Sequence, residues 1–161
     1  MHHKAYSVLR SALASLALAS AFAAPALAQE PNKLCPIMIK DEADPEEKTT
    51  YQGKDIYFCC GPCAKQFSKE PDYYVKVFQA MKSVPAVQDL KVPGDIQLLE
   101  QRFCPFSTER LIGPACPSVE YKGVKIYFSK PAHLKTWNAN PDAHAKEAFD
   151  KGLLPQLKGK L

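Results

Sequence analysis

The sequence lacks the motifs that identify the common enzyme classes. It contains no Gly-rich phosphate loop, no His-Glu-x-x-His zinc helix and no Gly-x-Ser-x-Gly nucleophile elbow. Its lysines and arginines form no continuous basic stripe of the kind that binds nucleic acid, and its single long apolar run is N-terminal. These absences argue against a familiar enzyme, against a nucleic-acid-binding protein and against stable membrane insertion.

The N-terminal apolar run belongs to a segment with the pattern of a secretory signal peptide. Lys4 and Arg10 precede and flank apolar residues 13–24, and small residues at Ala26 and Ala28 suit signal peptidase. The run is too short to cross a bilayer comfortably. We therefore expect cleavage after Ala28 and a soluble periplasmic protein. Cleavage lowers the net charge from +4 to +2, which gives only a weak attraction to anionic membranes.

All six cysteines lie beyond the predicted cleavage site. An even number of cysteines outside the cytoplasm is by default a disulfide framework, so structural disulfides stay open as an interpretation. The remaining 133 of the 161 residues suffice for one domain or for two small ones.

An internal repeat organises this chain. The pattern of cysteine, glycine, aromatic and proline positions in one segment recurs about seventy residues later, with one extra residue between the first two matched anchors. The matched anchors are Cys35-Pro36 with Cys104-Pro105, Tyr51-x-Gly53-Lys54-x-Ile56-Tyr57-Phe58 with Tyr121-x-Gly123-x-Lys125-Ile126-Tyr127-Phe128, Phe67 with Trp137, and Pro71-Asp72 with Pro141-Asp142.

Each repeat predicts a tight β-hairpin around its glycine, followed by two helices. Gly61 or Pro131 is expected to open the first helix, with Phe67 or Trp137 on its inner face. Pro71 or Pro141 then suits the first position of the second helix. In the second repeat, Asn140 is the expected N-cap of the last helix and Gly152 its expected end. In the first repeat, the expected core residues of the second helix are Tyr74, Val77, Phe78 and Met81.

The segments around the repeats are expected to be irregular. Residues 83–100 contain Pro85 and Pro93 and resemble a linker, and residues 95–102 are expected to add a helical turn. The acidic run 41–47 is expected to be a solvated loop.

The cysteines of the first repeat predict a soft metal site. Because residues four apart lie on one side of a helix, Cys59 and Cys63 can converge, while Cys35 arrives from the opposite loop. Gathered thiolates bind Zn²⁺ or Cu(I). The thioether of Met38 would favour Cu(I), although a core position is the commoner role for methionine. Cys60 is a fourth ligand, a disulfide partner or half of a redox pair, and is expected to turn away from Cys59 and Cys63.

The first repeat resembles the YHS/TRASH family of small metal-binding domains. The resemblance implies a compact treble-clef-like ββα unit that binds heavy metals, often copper, in sensing, trafficking or resistance. It puts Cys35, Cys59 and Cys63 in the ligand positions and covers nearly all of the repeat. The motifs that carry it are Cys35-Pro36-Ile37-Met38, Tyr51-x-Gly53-Lys54, Tyr57-Phe58-Cys59-x-x-x-Cys63-x-x-x-Phe67 and Pro71-x-x-Tyr74.

The second repeat departs from that pattern. Ser129 and His133 replace the two helix-side cysteines, Cys104 stays, and Cys116 is new. One hypothesis is a rebuilt site of Cys104, Cys116 and His133, with His144 as a further candidate ligand, that would suit Zn²⁺ or copper. The other, slightly favoured, is a degenerate unit stapled by a Cys104–Cys116 disulfide.

A redox function is the alternative to metal binding. Cys60-Gly61-Pro62-Cys63 matches the active-site tetrapeptide of thioredoxins, in which a strand-to-helix turn activates the first thiol. A thioredoxin-like domain needs a βαβ unit before this motif, where the sequence predicts only a charged loop and a hairpin. The second repeat also keeps the scaffold while Lys130 replaces Cys60.

The sequence therefore predicts an α+β protein of two tandem treble-clef-like ββα modules. Its expected function is to bind copper or zinc as a buffer, carrier or sensor component, with a metal-transport or metal-resistance protein as the expected partner. The alternative is a periplasmic thiol-disulfide oxidoreductase. The predicted boundaries are 1–28 for the signal peptide, 29–82 for the first module, 83–100 for the linker and 101–161 for the divergent second module.

Overall fold

The computed structural model describes residues 30–161, so the predicted signal peptide lies outside the described residues. Within 30–161 the fold is α+β, as the sequence predicts, with three two-stranded antiparallel hairpins and four α-helices. No helix in this range is long and apolar enough to cross a membrane.

The first unit is a hairpin followed by two helices. Strand β1 spans Asp44–Tyr51 and β2 spans Lys54–Phe58; helix α1 spans Gly61–Lys69 and α2 spans Pro71–Met81. A short 3₁₀ turn, Pro85–Val87, follows.

The second unit repeats this order and adds a small hairpin in front of it. Its last helix leads into a 3₁₀ turn at Pro155–Leu157. The elements are β3 (Phe103–Cys104), β4 (Ser107–Leu111), β5 (Ser118–Tyr121), β6 (Val124–Tyr127), α3 (Pro131–Ala139) and α4 (Pro141–Asp150).

The predicted tight hairpins are confirmed, and their turns are equivalent. Gln52 and Gly53 have φ of 45° and 75°, and Lys122 and Gly123 have φ of 48° and 75°. Two successive residues with positive φ are typical of the type I′ turn, whose twist matches the flanking strands. Glycine adopts this conformation without steric cost, which explains why it recurs at the second turn position.

The helix boundaries follow the proline and glycine signals. All four α-helices have proline at one of their first two positions, where its missing N–H leaves no bond unmade. Asn140 caps α4 by accepting a hydrogen bond of 3.3 Å from the Ala143 amide. Gly152, with φ of 72°, closes the turn after α4. These predictions are confirmed.

Each unit has its own apolar core. Phe67 lies at the centre of the first, its ring centroid 5.4 Å from that of Phe58 and 5.9 Å from that of Phe78. Trp137 occupies the equivalent place in the second, 5.4 Å from both Tyr121 and Phe128. Both side chains are almost completely buried.

Three local expectations are wrong. Met81 is 36% exposed, because α2 ends there and Lys82 turns into the left-handed conformation. No helical turn forms in 95–102, because this segment lies extended across the first core, where Lys76 Nζ donates to the Ile96 carbonyl at 2.8 Å. The acidic run is exposed, but β1 already begins at Asp44.

The segment predicted as a linker packs closely against the first unit. Val84 and Val87 are fully buried in its core. The Gln79 side-chain amide of α2 donates to the carbonyls of Val87 and Leu90, both at 2.8 Å. Residues 84–90 therefore cover the first core as well as connecting the units.

Main-chain hydrogen bonds join the two units directly. The Leu111 amide donates to the Ile37 carbonyl at 2.9 Å, and the Ile39 amide donates to the Glu109 carbonyl at 3.0 Å. Between them, Met38 forms an antiparallel bridge with Arg110. The loop after Cys35 thus continues the sheet of β4 in the other unit.

Candidate metal centre

Three short structures bring Cys35, Cys59 and Cys63 together. Cys35 opens a tight loop closed by hydrogen bonds from its amide to the Asp41 carbonyl at 2.8 Å and from the Asp41 amide to the Met38 carbonyl at 2.9 Å. Cys59 directly follows β2, and Cys63 lies in the first turn of α1. A loop, a strand end and a helix start therefore supply one thiol each.

The three sulfur atoms form a compact cluster. All lie within 4.8 Å of one another, and Cys59 Sγ is 3.7 Å from Cys63 Sγ. Cys35 and Cys63 are fully buried, whereas Cys59 is partly exposed. A Zn–S bond of about 2.3 Å implies sulfur atoms roughly 3.8–4.0 Å apart in tetrahedral or trigonal coordination. The predicted convergence is confirmed, and the cluster could hold a metal ion.

Cys60 lies closer to this cluster than the sequence predicts. Its Sγ is 3.6 Å from Cys59 Sγ and 3.5 Å from Cys63 Sγ, although it falls outside the mutually close group of three. The expectation that it turns away is wrong. Cys60 is the N-cap of α1, with extended φ of −170° and ψ of 158°, so helical spacing does not govern its direction.

The cluster concentrates negative charge on Cys35. The Cys63 thiol donates a hydrogen bond to Cys35 and, helped by the backbone amides of Met38, Cys59 and Ile37, lowers the pKa of Cys35 to about 5 against the opposing effect of burial. Burial and the neighbouring Cys35 sulfur raise the pKa of Cys59 to about 12. The pKa of Cys63 is also raised, first by its hydrogen bond to Cys35 and then by burial. At neutral pH the metal-free site is one thiolate stabilised by thiols.

Met38 serves the cluster through its backbone. Its amide donates to Cys35 Sγ at 3.3 Å. Its side chain packs against the first core and lines a cleft between the two units. This partly buried position agrees with the packing role expected for methionine.

The second unit places Cys104, Ser129 and His133 at the equivalent positions. His133 Nδ1 is 3.1 Å from Cys104 Sγ and 3.1 Å from Ser129 Oγ. Cys104 is fully buried. Burial, and then the nearby charges of Lys130 and Arg110, lower the pKa of His133, so its imidazole is neutral at pH 7.

Cys116 joins neither arrangement predicted for it. All six cysteines are free, so the structure does not contain the favoured Cys104–Cys116 disulfide. Cys116 Sγ instead accepts a hydrogen bond from the Gly113 amide at 3.4 Å and lies 3.8 Å from the Tyr74 hydroxyl of the first unit. The loop that carries Cys116 packs across the junction between units, and within residues 30–161 Cys116 forms no mutually close group with Cys104 and His133.

His144 lies beside the ring of Phe106, with centroids 5.0 Å apart. The ring of His133 also contacts Phe106, at 5.4 Å. His144 therefore has an aromatic packing role, and no hydrogen bond joins it to Cys104.

Two buried amides near the cysteines were missed by sequence reasoning. Asn32 donates to the Tyr57 carbonyl at 2.8 Å and accepts from the Tyr57 amide at 3.0 Å. Gln101 makes the same pair of bonds to Tyr127, at 2.7 and 2.9 Å. Both lie three residues before the Cys-Pro anchor of their repeat, and that shared register is the signal that could have found them.

Comparison with known proteins adds no relative to these observations: no family model, curated protein or solved structure matches the chain.

Proposed function

We propose that this protein binds a soft or borderline heavy-metal ion, Cu(I) or Zn²⁺, through the thiolates of Cys35, Cys59 and Cys63. The observation that carries the proposal is the mutual proximity of the three sulfur atoms, within 4.8 Å, in a largely buried site. Soft thiolate ligands select such metals over hard cations. Backbone amides directed at Cys35 orient the first ligand and stabilise its charge.

The number of sulfur ligands would separate the two metals. Three thiolates alone suit trigonal Cu(I), whereas Zn²⁺ prefers four ligands in a tetrahedron. Cys60 Sγ, 3.5–3.6 Å from two members of the cluster, is the proposed fourth sulfur. A small movement of Cys60 would complete a four-thiolate zinc site.

The proposed role is that of a metal buffer, carrier or sensor component in the periplasm. The partly exposed Cys59 and Cys60 offer the side from which a metal could enter or leave. A transport or resistance protein that exchanges the metal is the proposed partner. We also propose that each unit is a treble-clef-like module of the YHS/TRASH type, on the basis of the repeated loop, hairpin and helix around the cysteines.

Metal analysis of the purified protein with reduced thiols tests the proposal. We expect near-stoichiometric copper or zinc that is lost in Cys59→Ser and Cys63→Ser. Loss of even an outer partner of a metal ligand costs about 10- to 100-fold in affinity, so loss of a ligand should exceed that range.

Cys116→Ser is the matched control, because it removes a thiol that lies at the unit junction. It should keep full metal content. Wild-type protein that carries no metal and gains no stability when either metal is added would contradict the proposal. Cys60→Ser should weaken Zn²⁺ binding and leave Cu(I) binding nearly unchanged.

The second unit could hold a weaker metal site. Cys104 and a neutral His133 supply one thiolate and one imidazole at 3.1 Å from each other, and Ser129 is a poor third ligand. We expect Cys104→Ser to remove any metal that remains in Cys63→Ser protein, and no residual metal in that protein would mean a single site.

Thiol-disulfide exchange remains the second candidate because Cys60 Sγ and Cys63 Sγ are 3.5 Å apart at the start of α1. Residues 30–161 form only two-stranded antiparallel sheets, without the βαβ unit of thioredoxins. Insulin reduction that is lost in Cys60→Ser and retained in Cys35→Ser would favour the redox function over metal binding.

A further inference from the structure

A cleft of about 890 Å³ lies between the two units, separate from the sulfur cluster. Helix α1 forms one wall, and the start of α3 forms the other. Strand β4 contributes Arg110 to the lining, beside the Met38 bridge that joins the units. The cleft exists only because the units are joined in this arrangement.

The charged residues that line the cleft all carry positive charge. They are Lys65, Lys69, Arg110 and Lys130, and no aspartate or glutamate is among the lining residues. None of the four forms a salt bridge with a carboxylate of residues 30–161. The nearby Glu70 carboxylate is bound to the Ala115 amide at 2.6 Å. The hydrogen bond leaves the charge of Glu70 in place, but four lining cations that form no salt bridge still create a local positive potential that attracts anions.

Arg110 is held in place at this cleft. One of its terminal nitrogens donates to Gln66 Oε1 at 3.0 Å, and the Gln66 amide nitrogen is itself bound to the Leu111 carbonyl at 2.8 Å. The Arg110 Nε atom is buried and has no hydrogen-bond partner within the described chain. A buried donor without an acceptor is unfavourable, and a planar guanidinium matches the oxygen pairs of carboxylates and phosphates.

We propose that this cleft binds a small multivalent oxyanion, either a polycarboxylate or a polyphosphate. Arg110 supplies the directional fork, while Lys65 and Lys69, one helical turn apart on α1, and Lys130 at the start of α3 supply charge from both walls. Binding would bridge the two units. Ser129 and His133, which belong to the proposed weaker metal site, also line the cleft. None of Cys35, Cys59 and Cys63 does, so anion binding does not depend on a metal in the sulfur cluster.

Calorimetric titration of the purified protein with citrate and, separately, with pyrophosphate tests this proposal at physiological ionic strength. Metal content is measured before and after, so that chelation is not mistaken for binding. We expect saturable binding of at least one anion, and the one that binds identifies the ligand class.

The double variant Lys65→Gln/Lys130→Gln should weaken that binding about tenfold or more, because it removes one cation from each wall. The matched control Lys135→Gln/Lys160→Gln removes the same charge from exposed positions outside the cleft lining and should change affinity less than about twofold.

Arg110→Lys keeps the charge and removes the fork, and should also weaken binding about tenfold. The proposal would be wrong if neither anion bound saturably. It would also be wrong if the control variant Lys135→Gln/Lys160→Gln lost as much affinity as the cleft variant, since net charge alone would then explain the binding. The lysine variants are exposed and should fold normally, so the test does not depend on the Arg110 variant.

Discussion

The two units share a scaffold and differ at the positions that would hold a metal. Both have the same type I′ turn and the same proline-initiated helices. In both, a buried side-chain amide three residues before the first cysteine, Asn32 or Gln101, bonds to the backbone of a strand. At the cluster positions, however, the first unit has three thiols and the second has Cys104, Ser129 and His133. The fold of a unit therefore does not require three cysteines.

This difference shows that the apolar core of a unit does not depend on its cysteine cluster. The second unit keeps a complete apolar core around Trp137 with only one cluster thiol. The first unit buries the Cys35 thiolate beside the Cys63 thiol, and a buried charge is unfavourable unless hydrogen bonds or a bound cation compensate it. Only the first unit, in which the sulfur atoms converge, carries this unfavourable free energy.

The largest expected difference between the units is in the pH dependence of metal binding. At pH 7 Cys35, with a pKa of about 5, is ionised, whereas Cys59, with a pKa of about 12, and Cys63, whose pKa is also raised, are protonated. Binding as three thiolates therefore releases about two protons, and affinity should fall about 100-fold for each unit of pH decrease between 8 and 6. Competition titrations at pH 6, 7 and 8 measure this slope.

His133 provides the contrast. Its lowered pKa leaves it neutral at pH 7, so a metal bound there displaces no proton from the imidazole. Residual binding in Cys63→Ser protein should depend less steeply on pH. An affinity that is independent of pH in the wild-type protein would contradict coordination by all three thiols.

The central aromatic residues give the next largest effect. Phe67→Ala and Trp137→Ala each leave a large cavity and should cost about 3–5 kcal/mol of unfolding free energy, measured by denaturant titration. Only Phe67→Ala should also weaken metal binding, because Phe67 packs on Phe58, the residue before Cys59. Equal losses of metal affinity in both folded variants would mean that the units are not chemically separate.

The buried amides should give a smaller effect. Asn32→Ala and Gln101→Ala each leave a strand N–H and C=O without their side-chain partner, at an expected cost of about 1–3 kcal/mol. Thermal unfolding of the two variants measures the cost. Gln88→Ala is the comparison variant, because the Gln88 amide donates only to carbonyls at the end of α2 and in the following turn. An unchanged unfolding temperature in the Asn32 variant would contradict its proposed structural role.

Local signals in the sequence predicted most of each unit. Glycine at the hairpin turns and proline at the helix starts restrict the backbone within a few residues, so β1, β2, α1 and α2 follow from them. The convergence of Cys59 and Cys63 follows from the same local geometry.

The features that could not be predicted depend on contacts between distant residues. The extended path of 95–102 is set by the core that it covers, and the direction of Cys60 by an N-cap conformation just outside the helix. The pairing of 37–39 with 109–111 joins segments about seventy residues apart, and the position of Cys116 beside Tyr74 depends on that junction. No pattern within either repeat specifies these contacts.

The main-chain bridge between the units has a consequence for how the protein unfolds. Leu99 and Phe103 pack against both cores, and the bonds of Ile37 and Ile39 to β4 cross the same junction. Neither half can open without exposing apolar surface and strand edges of the other. The two repeats should therefore form one cooperative folding unit, in which cutting the chain within 83–100 leaves the halves bound together.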